Sequence, residues 1–281
     1  MTVKRKKKVP PVLIILLALL LLAVILFIDS NTRLVTTEYR ITDSALPAGF
    51  DGFRVVELSD LHAKRFGKNN EKLIAAVRAA RPDIIAITGD LTDAPGQLDY
   101  AAELVDGLTA IAPVYYVSGN HEWASGTARA VFALMREHGA TTLRNRFIRL
   151  ERGGDEITLA GLDDPNGLRD QKTLPEVRQD IRDAGCDGFI ILLAHRNDPE
   201  IYDGQALNVV FCGHGHGGLI RLPFTDGLLG HNGVLFPQYT SGVRTLSDGC
   251  AMVISRGLGN GKAPPRFLNN PELVVAELRA G

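Results

Sequence analysis

The chain has 281 residues, is 45% hydrophobic and 22% charged, and contains 29 Gly and 14 Pro; that balance excludes disordered, collagenous and coiled-coil proteins. Its net charge of −1 hides an asymmetry. Five cations stand at positions 4–8, which leaves 26 of the 31 basic residues in a body that holds all 32 acidic ones, and an acidic body offers no electrostatic footprint for nucleic acid.

From Val9 to Ile28 there are 20 uncharged, mostly aliphatic residues. As a helix rising 1.5 Å per residue they span roughly 30 Å, the thickness of a bilayer's hydrocarbon core. Pro10 and Pro11 fall in the first turn, where a missing N–H costs little. A cleaved signal peptide needs a shorter apolar stretch and a small-x-small site. The chain instead reads Ile28-Asp29-Ser30-Asn31-Thr32-Arg33. We therefore expect residues 9–28 to form an uncleaved transmembrane signal-anchor. By the positive-inside rule, residues 1–8 are a cytoplasmic tail and the body lies on the extracytoplasmic side of the cell membrane. Residues 29–49 form a connection with room for an edge strand around Val35–Ile41, and residues 50–281 form one domain.

Within that domain, apolar runs rich in β-branched residues recur at Phe53–Leu58, Ile84–Thr88, Val114–Val117, Ile157–Ala160, Phe189–Leu193 and Val209–Cys212. They read as strands buried on both faces. Helical stripes lie between several of them. Leu73, Ile74 and Val77 form one, stopped by Pro82; Leu104, Val105 and Leu108 form another. Val131, Phe132 and Met135 form a third, closed by Gly139. Thr173 and Glu176 have capping-box spacing ahead of Val177 and Ile181. Strand–helix alternation predicts a layered α/β domain. The stretch from Leu219 to Gly261 predicts hairpins and loops, and Val274–Leu278 a last strand. Three cysteines, Cys186, Cys212 and Cys250, are too few for a disulfide framework.

The chemistry-bearing residues come directly after the strands. After the first run stand Asp60 and His62; after the second, Gly89-Asp90; after the third, Gly119-Asn120-His121-Glu122. His195 comes after the fifth, and Gly213-His214-Gly215-His216 after the sixth. Open α/β sheets bind ligands at the carboxyl ends of their strands. Residues i and i+2 of extended chain share a side, as in Asp60/His62 and His214/His216. Carboxylate, imidazole and amide oxygen together form a hard-to-borderline donor set suited to Mn, Fe or Zn. So many donors exceed the needs of one tetrahedral ion and suit two ions about 3.5–4 Å apart that share a carboxylate. A closed structural zinc site would be Cys-rich, and these motifs contain no Cys.

Taken in order, Asp60-Leu61-His62, Gly89-Asp90, Gly119-Asn120-His121-Glu122, His195 and Gly213-His214-Gly215-His216 resemble the motifs of the calcineurin-like metallophosphoesterases. The resemblance runs from about residue 50 to the C-terminus. Three downstream stretches, Arg221-Leu222-Pro223-Phe224, Phe236–Gly242 and Ser255–Asn260, are similar to the bacterial membrane-associated, YkuE/YaeI-like branch. The resemblance implies a layered α/β fold, a β-sandwich flanked by helices, here preceded by one transmembrane helix. It implies two divalent metal ions (Mn, Fe or Zn): Asp60, His62 and His216 hold one, Asn120, His195 and His214 the other, and Asp90 bridges them. His121 then stands over the leaving group as the catalytic acid. The implied activity is phosphoester hydrolysis, with a lipid-linked or cell-envelope phosphate ester as the expected substrate given the anchor. The motifs are common to monoester, diester and pyrophosphate cleavage, and they carry no signal of oligomeric state. The alternative is a scaffold that keeps the fold without turnover, but such a scaffold should have lost some of Asp60, Asp90 or His195. Protein Ser/Thr phosphatases continue Gly-Asp with Asp-Arg-Gly. Here the chain reads Gly89-Asp90-Leu91-Thr92-Asp93-Ala94-Pro95, which argues against that substrate class. Glu122 is expected to orient His121 or to face solvent, His138 and His231 to be structural or solvated, and Arg256 and Asn260 are weak candidates for substrate contact.

Overall fold

The computed structural model describes residues 10–168, 171–222, 225–230, 233–261 and 265–281. The basic tail, Pro223, Phe224 and His231 lie outside the described residues. The chain opens with helix α1 (Pro11–Thr32), of 22 residues and mean hydropathy 3.4, long and apolar enough to cross a membrane. It contains no internal breaker, and its prolines sit at the amino end. Its first acidic residue, Asp29, pairs with Arg33 one turn on, at 2.6 Å.

The remaining elements are β1 (Val35–Asp43), β2 (Arg54–Leu58), α2 (Glu71–Ala80), β3 (Ile84–Thr88), α3 (Leu98–Thr109), β4 (Val114–Val117), α4 (Asn120–Ala124), α5 (Ala128–Glu137), β5 (Thr141–Thr142), β6 (Arg146–Arg152), β7 (Asp155–Gly161), α6 (Leu174–Asp183), β8 (Ile190–Leu193), α7 (Pro199–Tyr202), β9 (Val209–Cys212), β10 (Gly242–Thr245), β11 (Ala251–Ile254) and β12 (Glu272–Ala280). They form two six-stranded sheets, ordered β1-β12-β2-β3-β4-β5 and β10-β11-β9-β8-β7-β6. Strands β2 to β5 run parallel in one sheet, and β7, β8, β9 and β11 in the other. The two interior halves therefore deliver their carboxyl ends to common edges.

Side-chain alternation splits each buried strand between two cores. From β3, Ile84 and Ala86 join Tyr115, Leu159, Ile191, Val209, Phe211 and Val274 in the core between the sheets. Ile85 and Ile87 face the other way and pack with Leu73, Val77, Leu104, Leu108, Val131 and Met135 of helices α2, α3 and α5. The second sheet's outer face packs against α6 through Ile190, Leu192, Val177 and Ile181. The architecture is thus a β-sandwich flanked by helices, as expected. The capping box forms at α6, where the Thr173 N–H donates to Glu176 at 2.7 Å.

Strand β6 was not expected, because its sequence hides it. It interleaves apolar residues with Arg146, Arg149, Glu151 and Arg152, so it makes no apolar run; as an edge strand it needs none. Strand β1 fills the room left for an edge strand in the connection after the helix. It pairs along its whole length with β12, which begins two residues earlier and ends two residues later than Val274–Leu278. Cys186, Cys212 and Cys250 are free and buried.

Phe211 is fully buried between the sheets, directly below the site-bearing end of β9. Phe211→Ala should destabilise the fold by about 3–5 kcal/mol, the usual combined cost of lost burial and a residual cavity. A thermal-unfolding midpoint of the full chain unchanged from the parent would show that the inter-sheet core does not carry the fold.

Candidate metal centre

The turns after β2, β3, β4, β8 and β9 meet at one cleft of about 310 Å³, whose lining includes Asp90, Asn120, His121, Arg196, His214 and His216. Asp60 and His62 lie buried beside it. Three of the residues nominated from sequence, Asp60, His62 and His216, offer donor atoms within 4.8 Å of one another. Asp90, His195 and His214 do the same. Asn120 joins this second group, its Oδ1 lying 3.0 Å from His195 Nε2. Asp90 lies between the groups: its Oδ2 is 3.3 Å from His195 Nε2 and 3.7 Å from His62 Nε2.

The imidazoles are held by their other nitrogens. His195 Nδ1 donates to the Thr88 carbonyl at 2.8 Å, which aims Nε2 at Asp90. His62 Nδ1 donates to Asp93 Oδ1 at 2.7 Å. Its Nε2 is buried and has no hydrogen-bond partner. A buried ring nitrogen without a partner, 3.7 Å from the Asp90 carboxylate, is what a metal ligand presents before its ion is counted. Such an atom otherwise costs about 1–3 kcal/mol. His216 Nδ1 faces the Gly259 carbonyl at 3.3 Å, and its Nε2 lies 3.7 Å from Asp60 Oδ1. These observations fit a two-cation site of carboxylate, imidazole and amide donors.

The backbone around the donors is strained. Asp60, His62, Asp90, His214 and His216 all have φ between 47° and 65°, in the left-handed region. This region costs a non-glycine residue about 1–2 kcal/mol. Strain at five donors in one place marks a functional constraint.

Three residues that the sequence reading missed or misjudged organise the cleft. Glu122 is fully buried and does not face solvent. Its carboxylate accepts the N–H groups of Asp90, Leu91, Thr92 and Gly119, at 2.6–3.1 Å, and so ties the β3 turn to the β4 turn. Burial and the neighbouring Asp90 charge push its carboxyl up to about 7, while the N–H groups favour the ionised form. Asp93 grips both His62 and His121 through their Nδ1 atoms, at 2.7 and 2.6 Å. Its signal was the spacing Asp90-x-x-Asp93, which the sequence reading used only as a departure from another family. Arg196, next to His195, donates to His214 Nε2 at 2.9 Å and is clamped by Asp164 at 2.6 and 3.2 Å. It supplies a permanent cation in the cleft lining.

Against burial, the facing imidazoles, His195 foremost, hold the Asp90 carboxyl well below the usual range. His121 stands at the cleft with a partly exposed side chain; its hydrogen bond to Asp93 raises its pKa above the usual imidazole value. Arg256 and Asn260 lie elsewhere: Arg256 pairs with Glu272 at 3.0 Å, and Asn260 accepts from Arg266 at 2.6 Å. His138 pairs with Asp106 on the surface, as expected of a solvated residue.

A model of the calcineurin-like phosphoesterase family matches residues 53–218. The chain belongs to that family. It is therefore a phosphoester hydrolase, and the family implies a dinuclear divalent metal centre. Among similar proteins is the uncharacterised metallophosphoesterase YkuE of Bacillus subtilis (strain 168), 31% identical over 259 residues, covering 87% of this chain and 85% of the relative. A Danio rerio transmembrane protein with a metallophosphoesterase domain is 28% identical over 245 residues, 83% of this chain and 55% of that protein. The crystal structure of TT1561 of Thermus thermophilus shares the phosphoesterase's fold: at 13% identity it gives a TM-score of 0.52, over 75% of this chain and 92% of that one.

Glu122→Gln keeps the side-chain shape but turns one acceptor end into a donor. Whichever way the amide sits, two of the four N–H groups lose their partner, at about 1–3 kcal/mol each. The variant should unfold at lower temperature and hold less metal. Parent-like stability and metal content together would remove Glu122 from its role as the clamp between the two turns.

Proposed function

We propose that this phosphoesterase is a membrane-anchored dinuclear hydrolase. Its metal ligands are Asp60, His62 and His216 at one ion, Asn120, His195 and His214 at the other, and Asp90 between them. The observation that carries the ligand assignment is the pair of donor groups meeting at Asp90, with the buried, partnerless Nε2 of His62 aimed between them. Two divalent cations (Mn, Fe or Zn) held by these residues would supply charge to neutralise phosphate oxygens and to lower the pKa of water.

The chain's own residues supply the rest. Asp60 and Asp90 hold their carboxylates toward the donors because backbone N–H groups fix them: His214 N–H reaches Asp60 at 3.0–3.1 Å, and His121 N–H reaches Asp90 at 2.8 Å. Arg196, held by Asp164, offers its guanidinium to a phosphate oxygen of the substrate. His121 is the general acid. Asp93 accepts from its Nδ1 and favours the imidazolium, whose Nε2–H is the proton delivered to the leaving oxygen.

The domain assignment is then residues 1–8 cytoplasmic, 9–28 the anchor, 29–49 a connection that carries β1, and 50–281 the catalytic domain on the extracytoplasmic side. Support comes from the length and hydropathy of α1, the five cations before it, and the transmembrane description of the Danio rerio relative. An outward site beside the bilayer points to a lipid-linked or other cell-envelope phosphate ester as substrate.

Full-length protein stripped with a chelator should lose hydrolysis of bis(p-nitrophenyl) phosphate and regain it with Mn, Fe or Zn. Asp90→Asn removes a negative charge between two cations, and metal analysis should show clearly less than two equivalents. His121→Gln should keep both metals while kcat falls by about 10²–10⁴ on substrates with poor leaving groups. A nitrophenolate, which needs no proton, should blunt that loss. Loss of a metal from His121→Gln, or equal slowing of good and poor leaving groups, contradicts the acid role. Topology is read separately: a reporter active only outside the cytoplasm, fused at the C-terminus, should be active, and an expressed but inactive reporter would reverse the orientation.

A further inference from the structure

The carboxyl end of α1 does not trail free of the domain. Ser30 Oγ accepts the Leu268 N–H at 2.8 Å. Asn31 pairs in both directions with the backbone of Arg266, at 2.8 and 3.0 Å, and Asn270 donates to the Asp29 carbonyl at 2.8 Å. The segment bonded to the helix is also bonded to the site, since Asn269 Nδ2 donates to the His216 carbonyl at 2.8 Å.

From that segment a small ladder of bridges leads outward. Phe267 bridges Ile220, Ile220 bridges Leu229, and Leu229 bridges Leu235. The Phe236 N–H closes it onto the Leu228 carbonyl at 3.0 Å. Three inter-strand steps of about 4.8 Å put Leu235 within roughly 14 Å of Phe267, whose chain neighbours Arg266 and Leu268 are bonded to the helix end.

The tip of the ladder is bare. Val234, Leu235 and Phe236 are 54%, 64% and 65% exposed, as open as the residues along α1. Phe236 also has φ 51°, a left-handed conformation that a bulky residue rarely adopts. The chain thus holds an aromatic residue in a strained conformation and leaves it uncovered. Contiguous apolar surface of this kind marks an interaction site. The other exposed apolar surface of the chain is that of α1, whose end is bonded to the segment from which the ladder starts.

We infer that Val234, Leu235 and Phe236 are a second membrane contact, inserted into the leaflet from which α1 emerges, so that helix and loop together hold the metal cleft at the lipid surface. This rests on the membrane-anchored reading above and adds to it. With the helix end already bonded to the domain, a second contact at the tip fixes which face meets the headgroups.

The test uses the full chain in phosphatidylcholine–phosphatidylglycerol vesicles. All three native thiols are buried, so a cysteine introduced at the tip takes up an environment-sensitive fluorophore selectively. Leu235→Cys is compared with Leu19→Cys inside the helix and with Asp187→Cys on the turn before β8, at the opposite end of that strand from His195. The label at 235 should be blue-shifted and lose emission to lipids brominated high on the acyl chain, at the depth of about 5–10 Å expected of an interfacial element. The label at 19 should be quenched by deep bromines, and that at 187 by neither. Val234→Cys repeats the reading one residue away. If 19 is quenched and 235 behaves like 187, the anchor stands and the second contact is wrong. If neither is quenched, both fall. A blue shift at 235 that lipid does not quench, with disulfide cross-linking between copies of Leu235→Cys, would assign the tip to a second copy of the chain and overturn the inference.

Discussion

Two buried carboxylates, Asp60 and Asp90, set the terms for everything around them. An ionised carboxylate removed from water costs several kcal/mol unless hydrogen bonds and opposite charge replace its hydration. Asp60 takes the Ser59 hydroxyl at 2.8 Å and the His214 N–H; Asp90 takes the His121 N–H and faces imidazoles from two sides. Those partners come from the turns after β2, β4, β8 and β9. Folding the anions into the protein therefore requires several strand ends to meet, and the sandwich supplies the geometry in which they do. Glu57, buried under the same place, is handled differently. Burial pushes its carboxyl well above the usual range, against the Thr88 hydroxyl that donates to it at 2.9 Å.

The convergence is close enough to exclude side chains. A Cβ on Gly119 would lie 2.2 Å from Asp90 Oδ1, and one on Gly213 would lie 1.9 Å from Ser59 Oγ. These two glycines are needed for approach, since neither has positive φ. The left-handed conformations fall instead on the donors themselves, where glycine's tolerance is out of reach because the side chain is the point. Five such residues at about 1–2 kcal/mol each amount to a large fraction of a domain's net stability. The parallel strands and their three cores supply what offsets that cost. This is the physical reason the donors stand directly after the best-packed apolar runs.

That placement is also why so much was legible. Buried parallel strands need continuous Val, Ile and Leu runs, and residues at their carboxyl ends are fixed in space by the sheet, so every nominated donor could be found directly after such a run. The elements that escaped had no such signature. Strand β6 is half charged because an edge strand with one wet face need not be apolar. Glu122 was left between orienting His121 and facing solvent because a single acidic side chain after a strand carries no mark of burial; its partners are backbone N–H groups, which sequence does not display. Asp93 and Arg196 act through neighbours, on Nδ1 of His62 and Nε2 of His214, and supporting residues of this kind are visible only once the imidazoles have been placed. Arg256 and Asn260 were nominated by type, but pairing with Glu272 and Arg266 consumes them.

Arg266 shows how far the site's demands reach. It is a fully buried arginine whose guanidinium donates to the carbonyls of Gly259 and His216 and to Asn260, while its backbone pairs with Asn31 at the end of α1. Burial pushes its pKa down to about 10, opposed by the nearby Asp60 charge, so it remains a cation at neutral pH. A surface arginine could hold the helix end as well, at no desolvation cost. Burial makes sense only if the charge is needed inside, where it balances Asp60 and orders the turn carrying His216. The same residue then fixes where the apolar helix leaves the domain. Helix attachment and site electrostatics are thus one structural problem with a shared solution, and where the apolar helix leaves the domain relative to the cleft is set by the residues that hold the donors in place.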